Sequence, residues 1–188
     1  MKRKTKPRWE KQTLSLNDNH TWKAPPGYSI FAADRGAVRF NFPHSWVIVP
    51  ASDCIELYDQ QPPDDNCRLA VSYLHLPPID WRGLPLAQLI ATLIEEDRRE
   101  VLAREEIVNV PRADLEVAWT GIRFMDSQEH REAFSRVALA RGWNLQALIT
   151  FDFWAEDAAR WGPVWDEVMR SVELGRYVDN PTLGDVLH

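Results

Sequence analysis

Residues 131–141 and 144–154 alternate apolar and polar side chains over a strand's length each, with only Gly142 and Trp143 between them. Two such runs joined by so short a link can only fold back as an antiparallel hairpin, because a parallel return needs a crossover of a dozen or more residues. The rest of the chain must therefore be arranged around an antiparallel sheet. Other runs fit it: YSIFAA and AVRFNF flank the turn Asp34-Arg35-Gly36, with Gly36 suited to a positive φ. Two short strands follow near Cys54–Tyr58 and Arg68–His75, and further ones at Glu106–Val110 and Leu115–Met125.

Two stretches carry a helical period instead. Leu86, Leu89, Ile90, Leu93, Ile94, Val101 and Leu102 form one apolar stripe behind Pro85, predicting a surface helix of about 18 residues. Trp161, Trp165, Val168 and Val172 mark a second, which Gly162-Pro163 helps to start. Strands in hairpins with two one-sided helices give an α+β fold, an α/β/α sandwich with a central antiparallel sheet and two main helices.

The 188 residues, 45% of them apolar with nine Trp, suffice for one globular domain without staples or a structural metal. Residues 1–25 read as a basic, flexible N-terminal segment ending in Ala24-Pro25-Pro26-Gly27, residues 26–175 as the single domain, and residues 176–188 as an extended tail. The start MKRKTKPRWEKQ lacks an apolar stretch behind its basic residues, and no apolar run is long enough to span a bilayer, so the expected location is the cytoplasm.

Net charge is −6, yet Lys2, Arg3, Lys4, Lys6, Arg8 and Lys11 stand against Glu10 alone at the start, so this +5 tip leaves −11 on residues 12–188. Such a body repels phosphate backbones, which confines nucleic-acid contact to residues 2–11, where a solubilising terminus is the plainer reading. Cys54 and Cys67 flank the turn-like DQQPPDDN and could be neighbours in a hairpin. In a reducing compartment they are small buried hydrophobes, and they lack zinc-site spacing.

No phosphate-binding glycine loop, HExxH, GxSxG or EF-hand loop is present, and the five His are scattered. Neither a catalytic residue, a metal site nor a cofactor is therefore expected. The candidate site residues come from register. A turn at Gly142-Trp143 sets Asp152 opposite Ala133 and Thr150 opposite Ser135, and a turn over Asp126–His130 adds Arg123 and Gly121 to those rows. Arg123 and Asp152 should then form a cross-sheet ion pair beside Ser135 and Thr150, structural or lining a shallow polar pocket. Arg136 falls on the apolar face, where a guanidinium needs an internal partner or an anion. Trp46, Trp119, Trp154, Trp161 and Trp165 supply core mass, whereas Trp143 at the hairpin tip is the best placed for an interface.

The stretches GAVRFNFPHSW, IELYDQQPPDDNCRLAVSYLHLPP, AFSRVALARGWNLQALITFDFW and WGPVWDEVMRSVEL, with the spacing Phe40-x-x-Pro43-x-x-Trp46, resemble the PsbP-like superfamily over residues 28–174. The resemblance implies the α/β/α sandwich, and it implies action by binding other proteins rather than by catalysis, with no catalytic residue to carry over. The expected function is thus a non-catalytic intracellular protein-binding or assembly factor acting on another protein. The alternative is a small-ligand-binding or enzymatic domain using the polar row on the sheet.

Overall fold

The computed structural model describes residues 9–81, 83–110 and 112–183. Most of the basic tip, Lys2–Arg8, and the tail end 184–188 lie outside the described residues.

A large sheet of eight strands forms the middle of the molecule. Its path runs β3 (Val47–Pro50), β4 (Ile55–Tyr58), β5 (Cys67–His75), β10 (Leu145–Trp154), β9 (Glu132–Gly142), β8 (Glu116–Met125) and β6 (Glu100–Arg104), and β7 (Val108–Val110) also pairs with β8. A second, three-stranded sheet contains β1 (Tyr28–Ala33), β2 (Val38–Pro43) and β11 (Glu173–Leu174). Helix α1 (Leu86–Glu95) contacts β8 and β9, while α2 (Ala158–Ser171) contacts β10 and β2. The architecture is α+β, and the central hairpin and the strands that flank it pair antiparallel.

Alternation sorts each long strand between two apolar layers. In β10, Leu145, Ala147, Ile149, Phe151 and Phe153 are buried, and the intervening residues are half-buried. The buried set joins Trp161, Trp165, Val168 and Val172 and the small sheet's Val38 and Phe40 in the main core. On the other side Leu86, Ile90 and Ile94 of α1 cover Ala118, Ile122 and Leu139. Each helix therefore buries the single stripe that its period prescribes.

Several sequence expectations are corrected. The first helix stops at Glu95, where Glu96 gives the last bond, N–H to Thr92. Asp97 then accepts the Arg99 N–H at 3.0 Å, a side-chain turn that sends the chain into β6. Val101 and Leu102 lie on that strand; they sit seven and eight residues past Ile94, in phase with the helical stripe, so period alone could not separate them. Strand β3 is an addition, since VIVP is short and unalternating. Helix α2 begins at Ala158, behind a 3₁₀ turn at Ala155–Asp157, so Pro163 lies inside it rather than at its start.

The segment 9–25 is pinned to the domain at a few points, with most of its residues exposed between them. Trp9, His20 and Trp22 are buried, and the Asn17 N–H donates to Thr182. The Trp22 N–H donates to His20 Nδ1 at 2.9 Å, so Nε2 carries the proton given to the Pro181 carbonyl, also at 2.9 Å. The tail is likewise docked as far as Val178, which is buried and donates its N–H to Arg35. Both segments carry large apolar side chains, whose burial outweighs the lack of regular structure.

Cys54 and Cys67 are both free. They sit at opposite ends of the β4–β5 hairpin, because Ile55 faces Val71 whereas Tyr58 faces Arg68. Roughly 16 Å of strand separates them, far beyond the Cα spacing of about 7 Å that a disulfide tolerates. Burial raises the pKa of both thiols.

Candidate functional site

Two features of the large sheet bear on function: a cavity beneath α1 and the tip of the β9–β10 hairpin. The register of three strands decides what the cavity contains. Across β9 and β10, Asp152 faces Ser135 and Thr150 faces Val137. This is two residues from the expected pairing because the turn takes Trp143 and Asn144, and an even shift leaves side chains on their faces.

The β8–β9 register differs by one residue, which turns β8 over. Ile122 faces Ser135, whereas Arg123 faces Phe134 and Gly121 faces Arg136. The loop sets this pairing: the Asp126 N–H donates to Arg131, and the Asp126 carboxylate accepts from Gln128 and Glu129. The cross-sheet pair between Arg123 and Asp152 is therefore not formed. Arg123 pairs with Glu132 on the opposite face, both partners well exposed. Replacing Arg123 with glutamine is expected to change the unfolding free energy by less than about 1 kcal/mol, as befits an exposed pair, in a urea titration.

The basic partners of Asp152 come from elsewhere. Arg99 Nη1 lies 3.8 Å from Oδ1 and Arg68 Nη1 3.8 Å from Oδ2. Ser135, itself buried, donates its hydroxyl to Oδ1 at 2.5 Å. Removal from water pushes the Asp152 carboxyl above its ordinary pKa, against the Ser135 hydroxyl, Arg99 and Arg68, which favour the charged form. Asp97 is held below its ordinary value by hydrogen bonds from Arg99. Ser135, Thr150, Asp152, Asp97 and Arg99 form the polar side of a cavity of about 260 Å³. Its apolar side is Leu93 and Ile94 of α1 with Ile122, Val137 and Leu148 of the sheet. Sequence reasoning missed Arg68 and Arg99; Arg68 faces Asp152 across β5 and β10, a pairing of strands distant in sequence.

Arg136 projects on the α2 face, as its alternation requires. Its guanidinium carbon lies 5.5 Å from the Trp119 ring centre, 5.7 Å from Phe153 and 5.9 Å from Trp165. Burial lowers its pKa, with the Glu105 and Asp166 charges opposing. Gly121 permits the Glu105 approach, since a Cβ there would collide with that carboxylate. The cation is accommodated by ring faces and by the charges of Glu105 and Asp166.

Trp143 stands at the tip with 72% of its surface exposed and φ of 56°. Its ring lies along Gly175, where an added Cβ would come within 3.0 Å of Trp143 Cγ. Leu74, 52% exposed, is at the same end of the sheet but on its α1 face. Leu74 faces Gln146, and the Leu76 N–H donates to Asn144 at 2.7 Å.

Among the described residues no group of three His, Cys, Asp or Glu side chains could hold a metal ion, and no helix is long and apolar enough to cross a membrane.

The chain resembles several known proteins. It is 46% identical over 184 residues to the uncharacterized protein alr1449 of Nostoc sp. strain PCC 7120, covering 97% of this chain and 96% of that one. Among solved structures, cyanobacterial PsbP (CyanoP) from Synechocystis sp. PCC 6803 superposes with a TM-score of 0.55 at 12% identity, covering 80% of this chain and 94% of that one. LpqN of Mycobacterium tuberculosis, described as involved in cell envelope biogenesis, gives a TM-score of 0.54 at 10% identity over 77% of this chain and 88% of its own. The structural likenesses establish a PsbP-like fold. With residues 29–178 matching the Alr1449 family model as well, the chain belongs to the Alr1449 family.

Proposed function

We propose that the chain is a non-catalytic protein-binding or assembly factor whose contact surface is the β9–β10 tip. The observation that carries this reading is the state of Trp143. A bulky residue in the left-handed region costs on the order of 1–2 kcal/mol, and an indole left in water adds the loss of its burial. The fold accepts both, and it fixes the ring against Gly175. A ring held in place loses little freedom when a partner covers it, which is the condition under which Trp acts as an interface anchor. We place the contact in the cytoplasm, a reading supported by two thiols that the fold keeps apart.

Trp143→Ala separates contact from folding. The substituted chain should melt within a few degrees of the wild type, since the ring has little to lose in the free protein. In native lysate of the source cells, wild-type chain should migrate in a complex larger than its own 21.8 kDa, and the variant should migrate as free chain. Identical migration of the two would remove the tip from the binding surface.

A further inference from the structure

We propose that the cavity beneath α1 binds a free aliphatic α-amino acid in its zwitterionic form. This site is separate from the hairpin tip and does not depend on the tip's role.

The geometry sets opposite charges beside one another with bonding capacity left over. Among the described residues Asp152 accepts one hydrogen bond, from Ser135, although a carboxylate can accept several. Arg99 gives Nε and Nη2 to Asp97, and Arg68 gives Nε and Nη2 to Glu56. In each guanidinium Nη1 is the nitrogen turned to Asp152, and at 3.8 Å it is too far for a hydrogen bond. Arg99 is held in that position by the Phe124 ring, 4.0 Å from its guanidinium carbon.

An amino acid has the matching pattern: an ammonium and a carboxylate on one carbon. The ammonium would donate to Asp152, with the Thr150 hydroxyl beside it, and the carboxylate would accept from Arg99 Nη1. The side chain would lie against Leu93, Ile94 and Leu148, which favours leucine, isoleucine or valine over polar residues. A volume of about 260 Å³ is just under the roughly 300–1,000 Å³ of drug-sized pockets, which suits a ligand this small. The acids Asp97 and Glu56 balance Arg99 and Arg68 pairwise, leaving Asp152 as the charge that selects an ammonium.

The test is an amide NMR titration of the ¹⁵N-labelled full chain with L-leucine, L-leucinamide and N-acetyl-L-leucine. Leucine should shift the resonances of Ser135, Thr150 and Asp152 at millimolar concentration. Leucinamide and the acetylated compound, each lacking one charge, should bind about tenfold more weakly or worse. Asp152→Asn keeps an acceptor for Ser135 and should fold, yet it should lose leucine binding by a similar factor. The absence of shifts with leucine would overturn the proposal, as would equal binding of the three compounds. Leucinamide binding as well as leucine would point to the N-terminus of a polypeptide instead, and would equally overturn a free amino acid as the ligand. The wild-type comparisons hold even if Asp152→Asn fails to fold.

Discussion

Truncating Trp165 to alanine is expected to lower the free energy of unfolding by about 4 kcal/mol, among the largest effects any single substitution here should have. The ring is fully buried at the centre of the main core. It stacks on Phe151 at 6.3 Å with the planes 12° apart and meets Trp119 edge-on at 5.7 Å. Among the described residues its indole N–H has no acceptor, so the loss would be one of packing and cavity formation rather than of a hydrogen bond. Trp165→Phe should therefore recover much of the difference. It also supports Arg136, whose guanidinium carbon lies 5.9 Å from the ring, so the alanine variant leaves that cation with less cover. A urea titration measures the change. A loss below about 1 kcal/mol would mean that α2 does not sit on the sheet as described.

Arg141→Met should cost about 3 kcal/mol, by a different mechanism. Arg141 is 6% exposed and donates to the Trp81 carbonyl at 3.0 Å, the Leu84 carbonyl at 2.9 Å and Gln146 Oε1 at 3.3 Å. Methionine fills the space but leaves both carbonyls without this donor. Those carbonyls belong to the crossover that delivers the chain to α1, so hydrogen exchange across the first turn of α1 should accelerate in the variant. Lysine should restore only part of the stability, because it lacks the fork that reaches two carbonyls at once. A variant as stable as wild type, with unchanged exchange, would show that the crossover is held by other contacts.

Local pattern and long-range register differ in how far the sequence discloses them. The β9–β10 hairpin was legible because ten residues of alternation and a two-residue link admit one arrangement, and a pairing offset of two residues keeps every side chain on its face. The β8–β9 pairing was not: the Asp126 turn determines it, and an offset of one residue moved Arg123 away from Asp152. Asp152, Ser135 and Thr150 do line one cavity, but their arginine neighbours come from β5 and from the turn before β6. Arg99 was hidden because Val101 and Leu102 continue the helical period past the point where Asp97 ends it. The role of Arg141 has no sequence signal, since only the folded crossover supplies the carbonyls it binds.

Placing a photoreactive phenylalanine at position 143, and for comparison at the exposed Gln88 of α1, then irradiating the source cells, bears most directly on whether this fold acts by contact at its hairpin tip. The expected result is one dominant protein adduct from position 143 that is absent from position 88. No adduct from position 143, or the same adducts from both positions, would contradict it.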